Sequence, residues 1–567
     1  MKKLLTLLIL VLLPSVKASE LANPSELSRR IYLDLLDRTP TVEEYHRAKQ
    51  IISSGKYASL VKELMTKEEY FDNLAGKMVK HYAPIREERT HDFISYKRLQ
   101  NHIRQNYLGP KSDLRDFAYD LLTAKGVAAQ NKMVLFYSNF EDSAKMTARL
   151  SAAVLGVPLK CAECHDHKIH PDISVDHFWS MAAFFEGMDK KIISTMADLK
   201  QFEKKLEDKE YSKLLGKENL AKTLDWVKLE NDEKSIYDSF SELENMGQSI
   251  KRYGLTKEAL SEVNFRGEDT PLKAPQLFIN EYSKSIKTLK IDYELDGEKY
   301  TSKASHFKRD RVISEKGRPR DILGEWMSRK EPLYMSRAVA NWVTNWFMGR
   351  GFIMPFYDTY KVEGPNGSQL DKYAQILMRS GFNIHALVRA FVLSPTYKMK
   401  SKLKNDEEKF AFFKARRLRH LSGNQIVNSL NRPYDEITKG LSTEEAMKKL
   451  YRVAVYKQDL VEKIFPVSID DTEVAFKGTL VQSLKLSTDP KFLKYADKLA
   501  RNSFEKYRGV GIDEFLTHIF ARLYTREPTK PEVAFFKAKV DFSKSYRSSG
   551  VFETVWTLIN SPEMRLY

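Results

Sequence analysis

Residues 23–52 read NPSELSRRIYLDLLDRTPTVEEYHRAKQII. Leu27, Ile31 and Leu35 recur at helical spacing, and Pro24 sits where a first helical turn tolerates an imino acid. In the middle, Arg38-Thr-Pro-Thr-Val-Glu-Glu44 reads as a helix stop followed at once by a restart. Thr41 and Glu44 have the spacing of a capping box, in which each side chain satisfies the other residue's backbone N–H. Composition points the same way. With 24 Gly and 20 Pro in 567 residues, the chain has too few turn formers for an all-β protein, so helix is the better expectation.

The same pattern returns near the other end. IFARLYTREPTKPEVAFFKAK, set against the opening stretch without a gap, pairs Ile31 with Ile519, Leu35 with Leu523, Arg38 with Arg526, Pro40 with Pro528, Thr41 with Thr529 and Glu44 with Glu532. A second echo joins LVKELMTKEEYF (from Leu60), LVRAFVLSPTYK (from Leu387) and VWTLINSPEMRL (from Val555). Each has an apolar helix, a Ser or Thr cap and a short acidic or Pro-containing restart. Either helix–turn–helix units are reused within one scaffold, or unrelated helices share capping chemistry.

Between the ends the character changes. From about Asp198 to Val263 the chain is densely charged, with Leu and Phe at helical spacing, as in a surface hairpin or projecting arm. Leu289, Ile291, Tyr293 and Leu295 then alternate up to the turn pair Asp296-Gly297, which predicts a β-hairpin. Further on, Ala338, Trp342, Trp346 and Val339, Val343, Phe347 cover a wide face of a buried helix that ends at a glycine cap in Met348-Gly-Arg-Gly-Phe352. Gly364-Pro-Asn-Gly-Ser368 reads as a turn. The expected architecture is mainly α: a two-halved, multi-helix scaffold with a small, charged, β-hairpin-containing insertion. Residues 19–195 form the N-terminal helical domain, 196–320 the insertion and 321–567 the C-terminal helical domain.

Residues 1–18 carry the marks of a signal peptide. Lys2 and Lys3 precede the apolar run Leu4–Leu13, and Val16 and Ala18 supply the small residues for cleavage after Ala18. The run falls short of the ~20 residues that span a bilayer; an uncleaved anchor is the alternative. No later segment is long and apolar enough to cross a membrane. The protein is therefore expected in the periplasm or secreted. Losing Lys2, Lys3 and Lys17 lowers the formal charge from +17 to +14. Outside the cytoplasm such a balance points to anionic envelope polymers or acidic proteins rather than nucleic acid. The basic residues are dispersed, which also fits a generally basic soluble surface.

The chemistry gathers in Cys161-Ala-Glu-Cys-His-Asp-His-Lys-Ile-His170, which holds both cysteines of the chain and three of its twelve histidines. Cys-x-x-Cys-His is the spacing for c-type haem attachment: Cys161 and Cys164 each bond a vinyl group, and His165 is the proximal iron ligand. On a helix the two thiols lie near one face. Two rivals stay open. Zinc could take Cys161, Cys164 and two of His165, His167, His170 and His177. A disulfide between Cys161 and Cys164 would be at home in an oxidising compartment. For haem, candidates for a sixth ligand are His170, His177, Met181, Met188, His81, His91 and His102, with a five-coordinate iron equally open. On a continuous helix His167 would face away from the iron bound by His165, which leaves it the less certain second metal candidate. Arg337, Asn341, Arg350 and Asp358 suggest either a polar pocket or a buried structural network. The chain has no G-x-S-x-G, P-loop or H-E-x-x-H.

LGVPLKCAECHDHKIHPDISVDHFWSMAAFF resembles the signature of exported bacterial proteins abundant in planctomycetes. These cytochrome c-like proteins carry the paired domains of unknown function fifteen-forty-nine and fifteen-fifty-three. RRIYLDLLDRTPTVEE resembles the opening of the first domain. SRAVANWVTNWFMGRGFIMPFYD resembles the start of the second, with Arg337, Asn341, Gly349, Arg350, Gly351, Pro355 and Asp358 on its pattern. The resemblance implies a haem-c-like site in an exported helical protein without an established activity. A single haem bound at Cys161–His165 in an exported protein would serve extracytoplasmic electron transfer or redox chemistry with a redox partner protein. Cys161, Cys164, His165, Asp166 and His167 match the family motif; His170 and His177 stand where the family usually has acidic residues. The separate N-terminal cytochrome domain of many members is not seen, which puts a relay between two haems in doubt.

Overall fold

The computed structural model of the chain describes residues 21–83, 90–206, 271–281, 286–306, 317–402, 413, 416–430 and 487–567. Residues 1–18 and most of the charged stretch 198–263 lie outside the described residues. The architecture is mainly α, as the sequence predicts, with a few short strands. No described helix is long and apolar enough to cross a membrane.

The opening stretch folds as its spacing requires. Helix Pro24–Leu36 ends at Asp37, whose φ of 57° is left-handed, and helix Val42–Ser53 restarts behind the Thr41/Glu44 capping box. Arg38 fills the turn. Its guanidinium holds Glu44 bidentately at 2.6 and 3.0 Å and Glu69 at 2.8 Å. The C-terminal echo repeats this device. Helix Ile512–Tyr524 ends at Thr525, φ 58°, and helix Lys530–Lys537 restarts behind the Thr529/Glu532 box. Arg526 takes Glu532 at 2.9 and 2.7 Å and Glu563 at 2.5 and 2.7 Å. Shared capping chemistry alone would not place a third-helix carboxylate on the same arginine twice. The echo is a structural repeat. Lys49 bonds Glu527 at 2.6 Å between the two copies.

Two apolar cores result. The larger runs from Leu27 through helix Val175–Glu186 into helix Pro332–Met348 and on to Phe413, so it is shared by both halves of the chain. The smaller is built from residues 421–567 and takes in Leu33 from the first helix. That helix therefore lies between the cores. Its charged residues Arg29, Arg30 and Asp34, which spacing alone would leave in solvent, are buried. Asp34 accepts the hydroxyls of Tyr397 at 2.8 Å and Tyr567 at 3.0 Å. Arg416 and Arg419 stand 3.4 and 3.8 Å from its oxygens. Arg30 donates to the Tyr397 and Met399 carbonyls and Arg29 to those of Leu523 and Met564.

The predicted hairpin forms between Lys290–Leu295 and Glu298–Lys303 around Asp296 and Gly297, both with positive φ as a type I′ turn demands. It is not an independent arm. Ile291 packs on Ala182 and Ala183 of helix Val175–Glu186, and Ser302 donates to Asp176 at 2.6 Å. Strand Pro271–Glu281 pairs antiparallel with both Met188–Thr195 and Gly126–Val127, so this part of the central segment is sewn into the N-terminal half. Residues 364–368, read as a turn, instead open helix Gly364–Arg379, with Pro365 in its first turn, where its missing N–H costs nothing.

Replacing Asp34 leaves two arginines without their shared counter-charge inside the protein. Asp34→Ala is expected to lose about 3–5 kcal/mol of stability in denaturant unfolding at constant slope. A loss under about 1 kcal/mol would remove Asp34 from this role.

Candidate functional site

The CxxCH stretch begins where two backbones touch. Gly156 adopts φ 65°, and a Cβ there would overlap Thr359 Oγ1. Thr359 N–H donates to the Gly156 carbonyl at 2.8 Å. Pro158 then leads into a 3₁₀ turn, Leu159–Glu163, pinned by buried Leu159 and Ala162. The motif does not lie on one continuous helix, because the turn stops at Cys164. In a 3₁₀ turn, residues three apart eclipse. Cys161 and Cys164 accordingly share one side of it, and both are exposed, free thiols. The Glu163 carbonyl, between them, accepts the Trp179 indole N–H at 3.1 Å.

His165 follows, also exposed. Its Nδ1 lies 2.8 Å from the Asp166 carbonyl. A carbonyl only accepts, so Nδ1 carries the proton and the Nε2 lone pair faces outward, the tautomer that a metal-binding imidazole needs. Asp166 Oδ1 in turn accepts the Val175 N–H at 3.0 Å, holding the motif to the start of helix Val175–Glu186.

His167 is turned the other way. Its buried ring accepts the backbone N–H groups of Ile169 at 3.2 Å and His170 at 3.0 Å on Nδ1, so the proton sits on Nε2. That N–H meets no acceptor at normal hydrogen-bond geometry, although the Pro158 carbonyl stabilises it electrostatically. Burial holds its pKa below the ordinary histidine value. With Nδ1 occupied and Nε2 protonated, His167 braces the loop, and His165 is the motif histidine with a lone pair to offer.

The loop is clamped to the second half of the chain. His170 Nε2 donates to Asp358, 3.0 Å from both carboxylate oxygens, and its ring packs edge-on against Tyr360 at 5.2 Å. Asp172 accepts from the Tyr360 hydroxyl at 2.6 Å and from Lys361 at 2.8 Å. Burial pushes the Asp172 pKa up, but these two donors outweigh it and hold the carboxyl at about 2. Asn341 fixes the opposing loop: its amide bonds the Ile353 and Phe356 carbonyls and the Ile353 N–H at 2.8–3.0 Å. Arg337 pairs with Asp371, at 2.6 and 3.0 Å, Asp358 with His170, and the Arg350 guanidinium lies over the Phe413 ring at 5.7 Å, so among their described contacts these residues do not converge on one polar pocket.

The remaining ligand candidates are scattered or occupied. His177 Nδ1 serves the Ser174 capping box. His81 is stacked on Trp342 and 3.2 Å from the Ala153 carbonyl, and burial lowers its pKa to about 3. Met181 is in the core, Met188 opens a strand, and His102 neighbours Asn106 on its own helix. The His91 side chain lies outside the described residues. Among the described residues, no three His, Cys, Asp or Glu side chains are placed to share a metal ion. The His170–Asp358 pair joins residues 188 apart in sequence. The sequence offered both members but no local signal to pair them.

Removing the clamp should loosen the loop without unfolding the helices. Asp358→Ala is expected to cost about 1–3 kcal/mol and to speed amide exchange across residues 165–174. Unchanged exchange there would mean that the loop is held by other contacts.

The chain matches two family models. Residues 14–190 match PSCyt2, a protein of unknown function (DUF1549), and residues 319–459 match PSD1, a protein of unknown function (DUF1553). No curated protein and no solved structure matches it at a significant level. The junction built by His170 and Asp358 joins one matched region to the other, so the chain carries DUF1549 and DUF1553 as a pair of regions in direct contact.

Proposed function

We propose that this chain is an exported c-type haem protein that works in electron transfer or redox chemistry outside the cytoplasm. The observation that supports this most directly is the presentation of Cys161, Cys164 and His165. Two free thiols leave one side of a short turn, and the next residue is a histidine tethered through Nδ1 with Nε2 free. The donor set fits covalent attachment through two thioethers, with the imidazole as the group that would bind the iron. Bound there, a haem would supply a one-electron iron centre.

The chain's own residues would do the rest. Cys161 and Cys164 would fix the position of the group and His165 Nε2 would bind its iron, while the Asp166 carbonyl holds the imidazole in the tautomer that leaves Nε2 unprotonated. Asp166, His167 and the His170–Asp358 pair keep the loop from collapsing onto its neighbours. A redox partner protein and an anionic envelope polymer are the partners proposed, with export through residues 1–18 to the periplasm or beyond.

The reading is tested in full-length protein produced alongside the cytochrome c maturation machinery. Wild type should stain for haem after denaturing electrophoresis and give the pyridine haemochrome spectrum of two thioethers. Cys161→Ser should shift that spectrum to a single thioether, and Cys161→Ser/Cys164→Ser should abolish the stain. His165→Ala should keep any attached haem but change its spin state. An unstained wild type with one zinc per chain, lost on Cys161→Ser, would replace haem by zinc as the cofactor.

A further inference from the structure

The carbonyl that stands between the two thiols is held from outside the loop. A helical turn leaves its last carbonyls without partners inside it. The turn Leu159–Glu163 ends on the Glu163 carbonyl, and the Trp179 indole N–H, 3.1 Å away, stands in for the backbone donor of a further turn. An indole nitrogen only donates, so the direction of this bond is fixed. Trp179 is carried by helix Val175–Glu186. Tyr293 lies flat against its ring, with centroids 4.7 Å apart and planes 9° from parallel. Tyr300, opposite Tyr293 in the hairpin register, stacks on Tyr293 in turn at 5.6 Å and 21°.

Further contacts fix this hairpin to the helix that carries Trp179. Ile291 packs on Ala182 and Ala183, Ser302 Oγ donates to Asp176 at 2.6 Å, and the Ser305 N–H just beyond the hairpin donates to the Ser180 carbonyl at 3.1 Å. An indole already seated by its stack loses little further freedom when it bonds Glu163. Residues 290–303 lie between the matched regions, 14–190 and 319–459, and belong to neither. Residues three apart on a 3₁₀ turn are separated by about 6 Å along its axis. That is inside the ~4.4–6.8 Å Cα separation that joined cysteines adopt. The turn therefore keeps Cys161 and Cys164 at a high effective concentration for any reaction that takes both, and unwinding it lets them part.

We infer that Trp179, held by the Tyr293–Tyr300 stack, is the positioning residue for Cys161 and Cys164: its bond to the Glu163 carbonyl sets the turn that presents both thiols together. A hairpin outside both matched regions thereby governs the geometry of the motif inside the first. The role deepens the haem reading and, where it concerns attachment, rests on it; for the thiols themselves it stands alone. If Trp179 only filled space, removing its N–H while keeping an aromatic ring would alter packing but not the pairing of the thiols.

The thiol pair can be measured in the full-length chain before any haem is attached. Reduced protein is equilibrated with mixtures of reduced and oxidised glutathione. Cys161 and Cys164 close by passing two electrons and two protons to glutathione disulfide, which is released as two glutathione thiols. The equilibrium constant reads the effective concentration of the pair. Trp179→Phe removes the N–H and keeps a ring, Tyr293→Ala removes the stack, and Tyr293→Phe keeps it. Trp556→Phe, in the C-terminal core region, is the control. Folding of each is checked by far-ultraviolet circular dichroism. Trp179→Phe should lower the constant about fivefold, the worth of one hydrogen bond. Tyr293→Ala should lower it in the same direction, while Tyr293→Phe and Trp556→Phe match wild type. Matured with the haem attachment machinery, Trp179→Phe and Tyr293→Ala should yield more single-thioether product in the pyridine haemochrome spectrum. Wild-type constants in folded Trp179→Phe and Tyr293→Ala would overturn the inference whatever the haem result. If Trp179→Phe misfolds, Tyr293→Ala decides, because it leaves the helix and its indole in place. The predicted losses in a chain that takes no haem would overturn the haem reading and leave the positioning role standing.

Discussion

One buried carboxylate holds the chain together. Asp34, on the first helix, takes two tyrosine hydroxyls and stands near two arginines, and its four partners come from residues 397, 416, 419 and 567. A buried charge survives only where opposite charge and hydrogen bonds replace its lost water. Here that condition is met only if the N-terminal helix, the turn after residue 394, the short strand at residues 416–417 and the C-terminal tyrosine all assemble around it. The first helix thus belongs to both cores, contributing Leu33 to one and Leu27, Ile31 and Leu35 to the other. Arg38 and Arg526 brace matching turns on either side.

That assembly gives the site its platform. The CxxCH loop has little regular structure of its own. Its shape comes from what surrounds it: the Gly156–Thr359 contact before the thiols, the Asp166 bond to helix Val175–Glu186, and the His170–Asp358 and Asp172–Tyr360 contacts after them. These outer contacts belong to both matched regions. A motif carried on a loop but clamped from two sides keeps its exposed groups accessible while its backbone stays put.

How much of this was written in the sequence depends on the distance over which each interaction acts. Capping boxes, glycine stops and the Asp296-Gly297 turn are local, and Thr41, Thr529, Gly349 and the hairpin all behave as their neighbours in sequence dictate. The repeat was visible as a pattern, but only the paired carboxylates on Arg38 and Arg526 separate kinship from shared capping. The burial of Arg29, Arg30 and Asp34 was not legible, because three charges in one helix look solvated until their partners hundreds of residues away are known. The same holds for the site. Its thiols and histidines were evident from spacing, whereas the opposite roles of His165 and His167 depend on which backbone groups each ring meets. Residues 364–368 misled because a Pro and two Gly suit a turn and a helix start equally well.

The central claim is that Cys161, Cys164 and His165 form a covalent haem site, and the intact mass of the full-length protein matured with the haem attachment machinery tests it most directly. The account predicts a mass higher than that of the polypeptide by one haem, with neither cysteine available to a thiol reagent and the modified peptide spanning residues 161–165. A polypeptide at its unmodified mass with two reactive thiols, or two hydrogens lighter through a Cys161–Cys164 disulfide, would contradict it.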